Sequence, residues 1–157
     1  MKKSLILLLG LMSASLYSAT IDGYWKTIDD VTQQPKGIMQ IYTVDGVTAG
    51  KVVKGFTVNG KKPKEFCTGC AAPFTDKKIA GLEILWGLHE DDGEWKGGYI
   101  LDPTGGKIYH VKLVPSDDET SLKVRGYIGV PLIGRTQMWY RLDDEQLKQL
   151  LGDDTAS

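Results

Sequence analysis

The chain has 157 residues, with 19 Lys and Arg against 20 Asp and Glu and two His. Without Lys2 and Lys3, which lie in an apolar leader, the net charge goes from −1 to −3. A mildly acidic chain with no basic cluster in sequence is a poor fit to nucleic acid or to an anionic membrane, and its length suits one domain with a core of its own.

Residues 1–18 read as a secretory signal peptide: Lys2 and Lys3, an apolar run from Ser4 to Met12, then the small residues Ser13, Ala14, Ser15, Ser18 and Ala19. The run is too short to cross a bilayer as a helix, which takes roughly 20 residues. No cysteine stands near the cleavage region to take a lipid, and no later segment reads as a membrane span. The expected product is a periplasmic or secreted protein, folded over residues 19–152 and ending in a flexible tail over 153–157.

Short β-like runs separated by turn signals follow. GYWKTI (23–28) is the first. GIMQIYTV (37–44) and VTAGKVVKGF (47–56) are joined by Asp45-Gly46, a hairpin signal. Residues 59–81 carry Lys, Pro and Gly with little periodicity and read as one long excursion, a length that is often functional. Cys67 and Cys70 lie within it. In an oxidising compartment they read as a short structural disulfide. A redox pair would sit at a helix start, and a zinc site would need two further ligands.

Strands resume at LEILWGL (82–88), with His89 placed at the following hairpin tip, and at EWKGGYILD (94–102). After the DPTGG turn come KIYHVKLV (107–114), SLKVRGYI (121–128) and RTQMWYRL (135–142). DDEQLKQLLG (143–152) fits a short helix capped by Asp143, with Leu147, Leu150 and Leu151 on one face. Eight runs in hairpin order predict an all-β, eight-stranded antiparallel up-and-down barrel with a short C-terminal helix. Strict alternation puts Trp95, Gly97, Tyr99 and Leu101 on one face of their strand, and Tyr109, Val111 and Leu113 on one face of the next.

Gly23-Tyr24-Trp25 resembles the first-strand signature of the lipocalins and their calycin relatives. In those families the Trp plugs the closed end of the barrel and an Arg near the end of the last strand packs over it, a place held here by Arg141. A mid-chain Thr-Asp-Tyr motif and the long helix before the last strand, usual in lipocalins, are missing. GLEILWGL, EWKGGYILDPTGGKIY and LKVRGYIGVPLIGRTQMWYR are similar to a family of exported bacterial proteins known as domain of unknown function 2147. That resemblance implies a lipocalin-like barrel and carries no catalytic residues.

No nucleophile elbow, phosphate loop or zinc-protease motif is present, so no catalytic, metal or cofactor residue is assigned. The aromatics Tyr42, Trp86, Tyr99, Tyr109, Tyr127 and Trp139 suit either a cavity lining or a filled barrel. Arg125 faces inward if Leu122 and Val124 pack outside, and then needs a partner, either Asp102, Glu83 or an anionic ligand. Arg135 is the second candidate anchor. The leading expectation is an exported protein binding a small hydrophobic or amphipathic, partly anionic molecule. An envelope protein partner docking on the 59–81 excursion, or an enzyme using an inward His110, are the alternatives.

Overall fold

The computed structural model describes residues 19–152. The expected leader over 1–18 and tail over 153–157 lie outside the described residues. Eight strands run in order: β1 (Gly23–Ile28), β2 (Pro35–Val44), β3 (Val47–Gly55), β4 (Glu83–Asp91), β5 (Glu94–Leu101), β6 (Ile108–Pro115), β7 (Ser121–Tyr127) and β8 (Gly134–Leu142); the helix α1 (Asp144–Gly152) follows. Each strand pairs antiparallel with the next, and β1 pairs with β8, so the sheet is a closed barrel. Closure leaves no sheet edge unpaired.

The Asp45-Gly46 hairpin, and a second at Asp92-Gly93, form as two-residue turns, between Val44 and Val47 and between Asp91 and Glu94. Both turn residues are left-handed in each (φ 51° and 77° at Asp45-Gly46; 54° and 76° at Asp92-Gly93). That geometry matches the twist of the flanking strands. The second hairpin is longer than the apolar run predicts: His89 pairs with Lys96 inside the ladder and is not at the tip. The helix is capped as expected. Asp143 Oδ1 accepts from Gln146 N at 2.8 Å, and Gln146 Oε1 accepts from Asp143 N at 3.1 Å. Lys54 Nζ donates to Leu150 O at 2.6 Å near the other end of the helix, where a cation is favoured.

The alternation expected of β5 does not hold along its length. Gly97 takes φ 83°, and the β5–β6 register shifts between Trp95 and Gly98. Such a bulge changes which face later side chains take. Trp95 is therefore in the core while Tyr99 is 39% exposed on the outer wall. In β6 the expected pattern survives, with Val111 and Leu113 fully buried.

One end of the barrel is sealed by β1 and β8. Trp25 is fully buried and its Nε1 donates to Ile21 O at 2.9 Å. The Arg141 guanidinium lies over the indole, 4.4 Å from its centroid, a cation–π contact worth about 0.5–2 kcal/mol. It also donates to three backbone carbonyls, Glu119 O, Asp22 O and Thr20 O, each at 2.8 Å. Gly23 (φ 133°) leaves room for this, since a Cβ there meets Arg141 Nη1 at 3.1 Å. Arg141→Met keeps the apolar stem and removes the donors. We expect a loss of roughly 2–4 kcal/mol, because hydrogen bonds from charged donors are the strong ones. Arg141→Lys should recover less than half, lacking the planar fork. Urea denaturation checks both, and full stability in Arg141→Met contradicts this account of closure.

Candidate functional site

Opposite the seal the barrel is open. A cavity of about 710 Å³ enters between the β1–β2, β3–β4 and β5–β6 connections and the facing ends of β7 and β8 at Gly126 and Arg135. Its wall includes Met39, Val52, Ile84, Ile100, Val124 and Trp139, with Thr27, Tyr109 and Gln137 as polar members. Trp139 Nε1 donates to Gln137 Oε1 at 3.2 Å. The Tyr109 hydroxyl makes no hydrogen bond among the described residues. Gly126 also lines the cavity, and the atom nearest a Cβ built there is Tyr109 Cβ at 3.6 Å.

The rim is charged. Arg135 grips Asp30 Oδ2 through Nε and Nη2, both at 2.8 Å, with its side chain 68% exposed. Lys61, Lys62 and Lys64 come from the β3–β4 excursion. Lys64 Nζ donates to Thr104 O at 2.9 Å. Asp102 turns its carboxylate to the Thr104 N–H, at 2.9 Å. Asp29 accepts from Val31 N, Thr32 N and Thr32 Oγ1 at 3.1, 2.8 and 3.0 Å. These bonds, led by the Thr32 amide, hold its carboxyl below the ordinary range. Charge is polarised along the barrel. The excursion brings Lys61, Lys62, Lys64, Lys77 and Lys78 against Glu65 and Asp76, while the turns over 90–94 and 116–120 at the sealed end are acidic with no basic residue.

The excursion, expected as a disulfide-pinned loop, is one. Its ordered pairings are two isolated bridges, Val58 with Lys61 and Phe66 with Lys78. Cys67 and Cys70 form the disulfide and are buried in the core cluster. Both sulfurs rest against Pro103 O, at 3.8 and 4.0 Å, contacts without a donated proton because disulfide sulfur carries none. On the same turn Gly106 lies so close to Gly69 O that a Cβ would overlap it. The disulfide thus docks the excursion on the β5–β6 connection and shapes one side of the mouth.

Of the residues expected to touch a ligand, Tyr109 and Arg135 line the cavity, as does Trp139. Tyr42, Trp86, Tyr99, Arg125 and Tyr127 do not. Leu122 and Val124 are buried in the core, so Arg125 faces outward, contrary to the orientation expected had they packed outside. Its Nε and Nη2 donate to Pro131 O and Leu132 O, at 2.9 and 3.1 Å, and Nη1 to Thr136 Oγ1 at 2.9 Å. Neither Asp102 nor Glu83 is its partner: Glu83 Oε2 accepts from Tyr42 OH at 2.6 Å. Burial and that carboxylate push the Tyr42 hydroxyl up to about 12. His110 is exposed in a row of rings on the outer wall, Phe74–Trp86–Tyr99–His110–Tyr127, with successive centroids 4.9–5.8 Å apart. An enzyme using an inward His110 is not what the fold builds. Among the described residues no group of three His, Cys, Asp or Glu is placed to hold a metal ion.

Gln137 was legible and missed: Arg135, Gln137, Trp139 and Arg141 alternate without interruption along β8. Asp30 and the excursion lysines had no such signal, since only folding brings them to the rim.

Two outcomes test this geometry. Replacing both Cys67 and Cys70 by Ala should leave the barrel folded while the 59–81 segment becomes a protease target. The cost should be roughly 2 kcal/mol, the loop entropy of so small a ring; resistance equal to the parent contradicts the docking role. Asp29 titrates below its ordinary 3.8 in the folded chain. Its contribution is therefore full above that value and lost as pH falls through the lower folded-state value. Protection of the Val31 and Thr32 amides, measured relative to their intrinsic exchange rates at each pH, should fall over that acid range, and Asp29→Ala should lack it at neutral pH already.

The barrel is similar to a solved Helicobacter pylori protein described as belonging to the lipocalin family, with TM-score 0.71, 20% identity, and coverage of 85% of this chain and 90% of that one. At that identity the likeness shows the fold. No curated protein matches the chain in sequence. The family model described as "uncharacterized protein conserved in bacteria" matches residues 23–141. With strands, seal and cavity mouth nearly all inside that span, the chain belongs to this bacterial family, DUF2147.

Proposed function

We propose that the protein binds one small amphipathic molecule, its apolar part in the barrel and an anionic group at the rim. The observation that carries this reading is the cavity itself: about 710 Å³, open at one end, with an apolar wall and a basic rim. That volume falls within the roughly 300–1,000 Å³ of small-molecule sites, which pair apolar walls with a few placed polar groups. Tyr109 and Gln137 are polar groups of the wall, and Arg135, Lys61 and Lys62 the cations at the mouth. Arg135 Nη1 is not used by Asp30 and can take a carboxylate or phosphate. The similarity to a lipocalin-family barrel supports the same reading. Export through a leader over residues 1–18 is part of the proposal and is supported by the buried disulfide, a bond that persists in oxidising compartments.

Native mass spectrometry of the protein from the exported fraction tests the reading directly. An extra mass released on denaturation is expected, and a bare chain that also fails to bind long-chain carboxylates overturns it. Gly126→Leu should fill the cavity and weaken carboxylate binding by more than about tenfold with the fold intact, since a buried isobutyl group displaces ligand volume. Arg135→Ala should weaken a carboxylate about tenfold and leave its neutral alcohol analogue unchanged, as expected for one charge-assisted hydrogen bond.

A further inference from the structure

We propose that the mouth of this barrel docks on an anionic phospholipid bilayer, with the β7–β8 loop entering the interface first. This loop, residues 128–133, joins Gly126 and Arg135, two residues of the cavity lining. It presents Ile128, Val130, Leu132 and Ile133 to solvent at 59, 55, 88 and 70% exposure. Apolar side chains so grouped on a surface mark a contact with another molecule or a membrane. Nor is the loop a slack one. Arg125 holds the Pro131 and Leu132 carbonyls from the outer wall, and Ile133 N donates to Val130 O at 3.0 Å. The apolar side chains are presented by a fixed backbone, so docking orders little that is not already ordered.

Three further features point to a bilayer. The first is the aromatic row on the outer wall. Trp86, Tyr99, His110 and Tyr127 all lie in the mouth-side half of their strands and run from the excursion towards the β7–β8 loop. Trp and Tyr favour the headgroup level, where an apolar ring and a polar tip are both accommodated. The second is charge. The Lys61 and Lys62 ammonium groups stand exposed at the rim with no hydrogen bond or ion pair among the described residues, while the opposite end is acidic. A chain of net negative charge polarised in this way turns its mouth towards an anionic surface and its sealed end away. The third is position: the contact surrounds the cavity entrance, so a ligand passes between bilayer and barrel without crossing water. This last point rests on the ligand-binding reading; the docking itself does not.

Vesicle flotation tests the proposal on the protein as the producing cell leaves it. Phosphatidylcholine vesicles are compared with vesicles that also contain phosphatidylglycerol, at low and at high salt. Binding to the anionic vesicles, lost at high salt, is expected. Leu132→Asp combined with Ile133→Asp, and separately Lys61→Glu combined with Lys62→Glu, should each reduce partitioning by more than about tenfold, given the contribution of each basic residue near an anionic surface. Circular dichroism should be unchanged, because all four side chains are exposed. An environment-sensitive dye on Leu132→Cys should report an apolar surrounding on vesicles, and the same dye on Asp117→Cys at the sealed end should not. Absence of binding to anionic vesicles, or equal binding by the loop variant, overturns the proposal and leaves a protein as the occupant of the loop. The loop residues do not line the cavity, so the loop variant should still bind a long-chain carboxylate in solution. A parent that binds the carboxylate but no vesicle overturns docking alone; one that binds vesicles but no carboxylate overturns the cavity reading alone.

Discussion

The contact between Arg141 and Trp25 is the constraint on which the barrel depends. An eight-stranded sheet closes only if its first and last strands meet, and here Tyr24, Trp25, Lys26 and Thr27 pair with Leu142, Arg141, Tyr140 and Trp139, with Trp25 opposite Arg141. The indole fills the space that the narrowing strands leave. The guanidinium covers it and ties the segment before β1 and the β6–β7 turn to the end of β8. A charge half out of water is tolerable there because three carbonyls and a ring face receive it. With one end sealed by large side chains, the remaining interior volume collects at the other end. The cavity is thus a consequence of where the bulk was placed, and its entrance falls among the four connections farthest from the seal.

Those connections differ in kind, and the difference gives the mouth its character. The β3–β4 excursion is cross-linked and docked on the β5–β6 turn, so its lysines are held at the rim. The β1–β2 connection is shaped by Asp29 and supplies Asp30 to orient Arg135. The β7–β8 loop is apolar and fixed from outside by Arg125. An apolar interior, a basic rim and an apolar projection are thus gathered at one end of a chain whose net charge is negative. The sum of charges makes an anionic surface a poor fit; their distribution does not, because an electrostatic field is set by where charges sit and falls off within about 10 Å in salt.

The fold was legible in the residues because its signals are local. Asp-Gly between two apolar runs forms a tight hairpin whatever surrounds it, and Asp143 with Gln146 caps a helix by the reach of its own side chains. The site was legible in part. Along β8 the period of two is unbroken, so Arg135 and Trp139 are on the cavity side as their spacing from Arg141 requires. Along β5 the same counting fails, because Gly97 inserts a bulge and Tyr99 comes out on the other wall. Arg125 is a different error: its face depended on whether Leu122 and Val124 look in or out, and an apolar residue suits both the core and a covered outer surface.

What the sequence by itself determined is the strand count, the turns, the family and the seal, all set by short-range chemistry or by residues of rare type at fixed places. Only the tertiary structure decided which wall each aromatic joins and that the interior holds a cavity. It also decided that scattered lysines and an apolar loop share one rim. The physical reason is that these depend on bulges, on the volume left after packing, and on connections far apart in the chain, none of which a local pattern of residue types records.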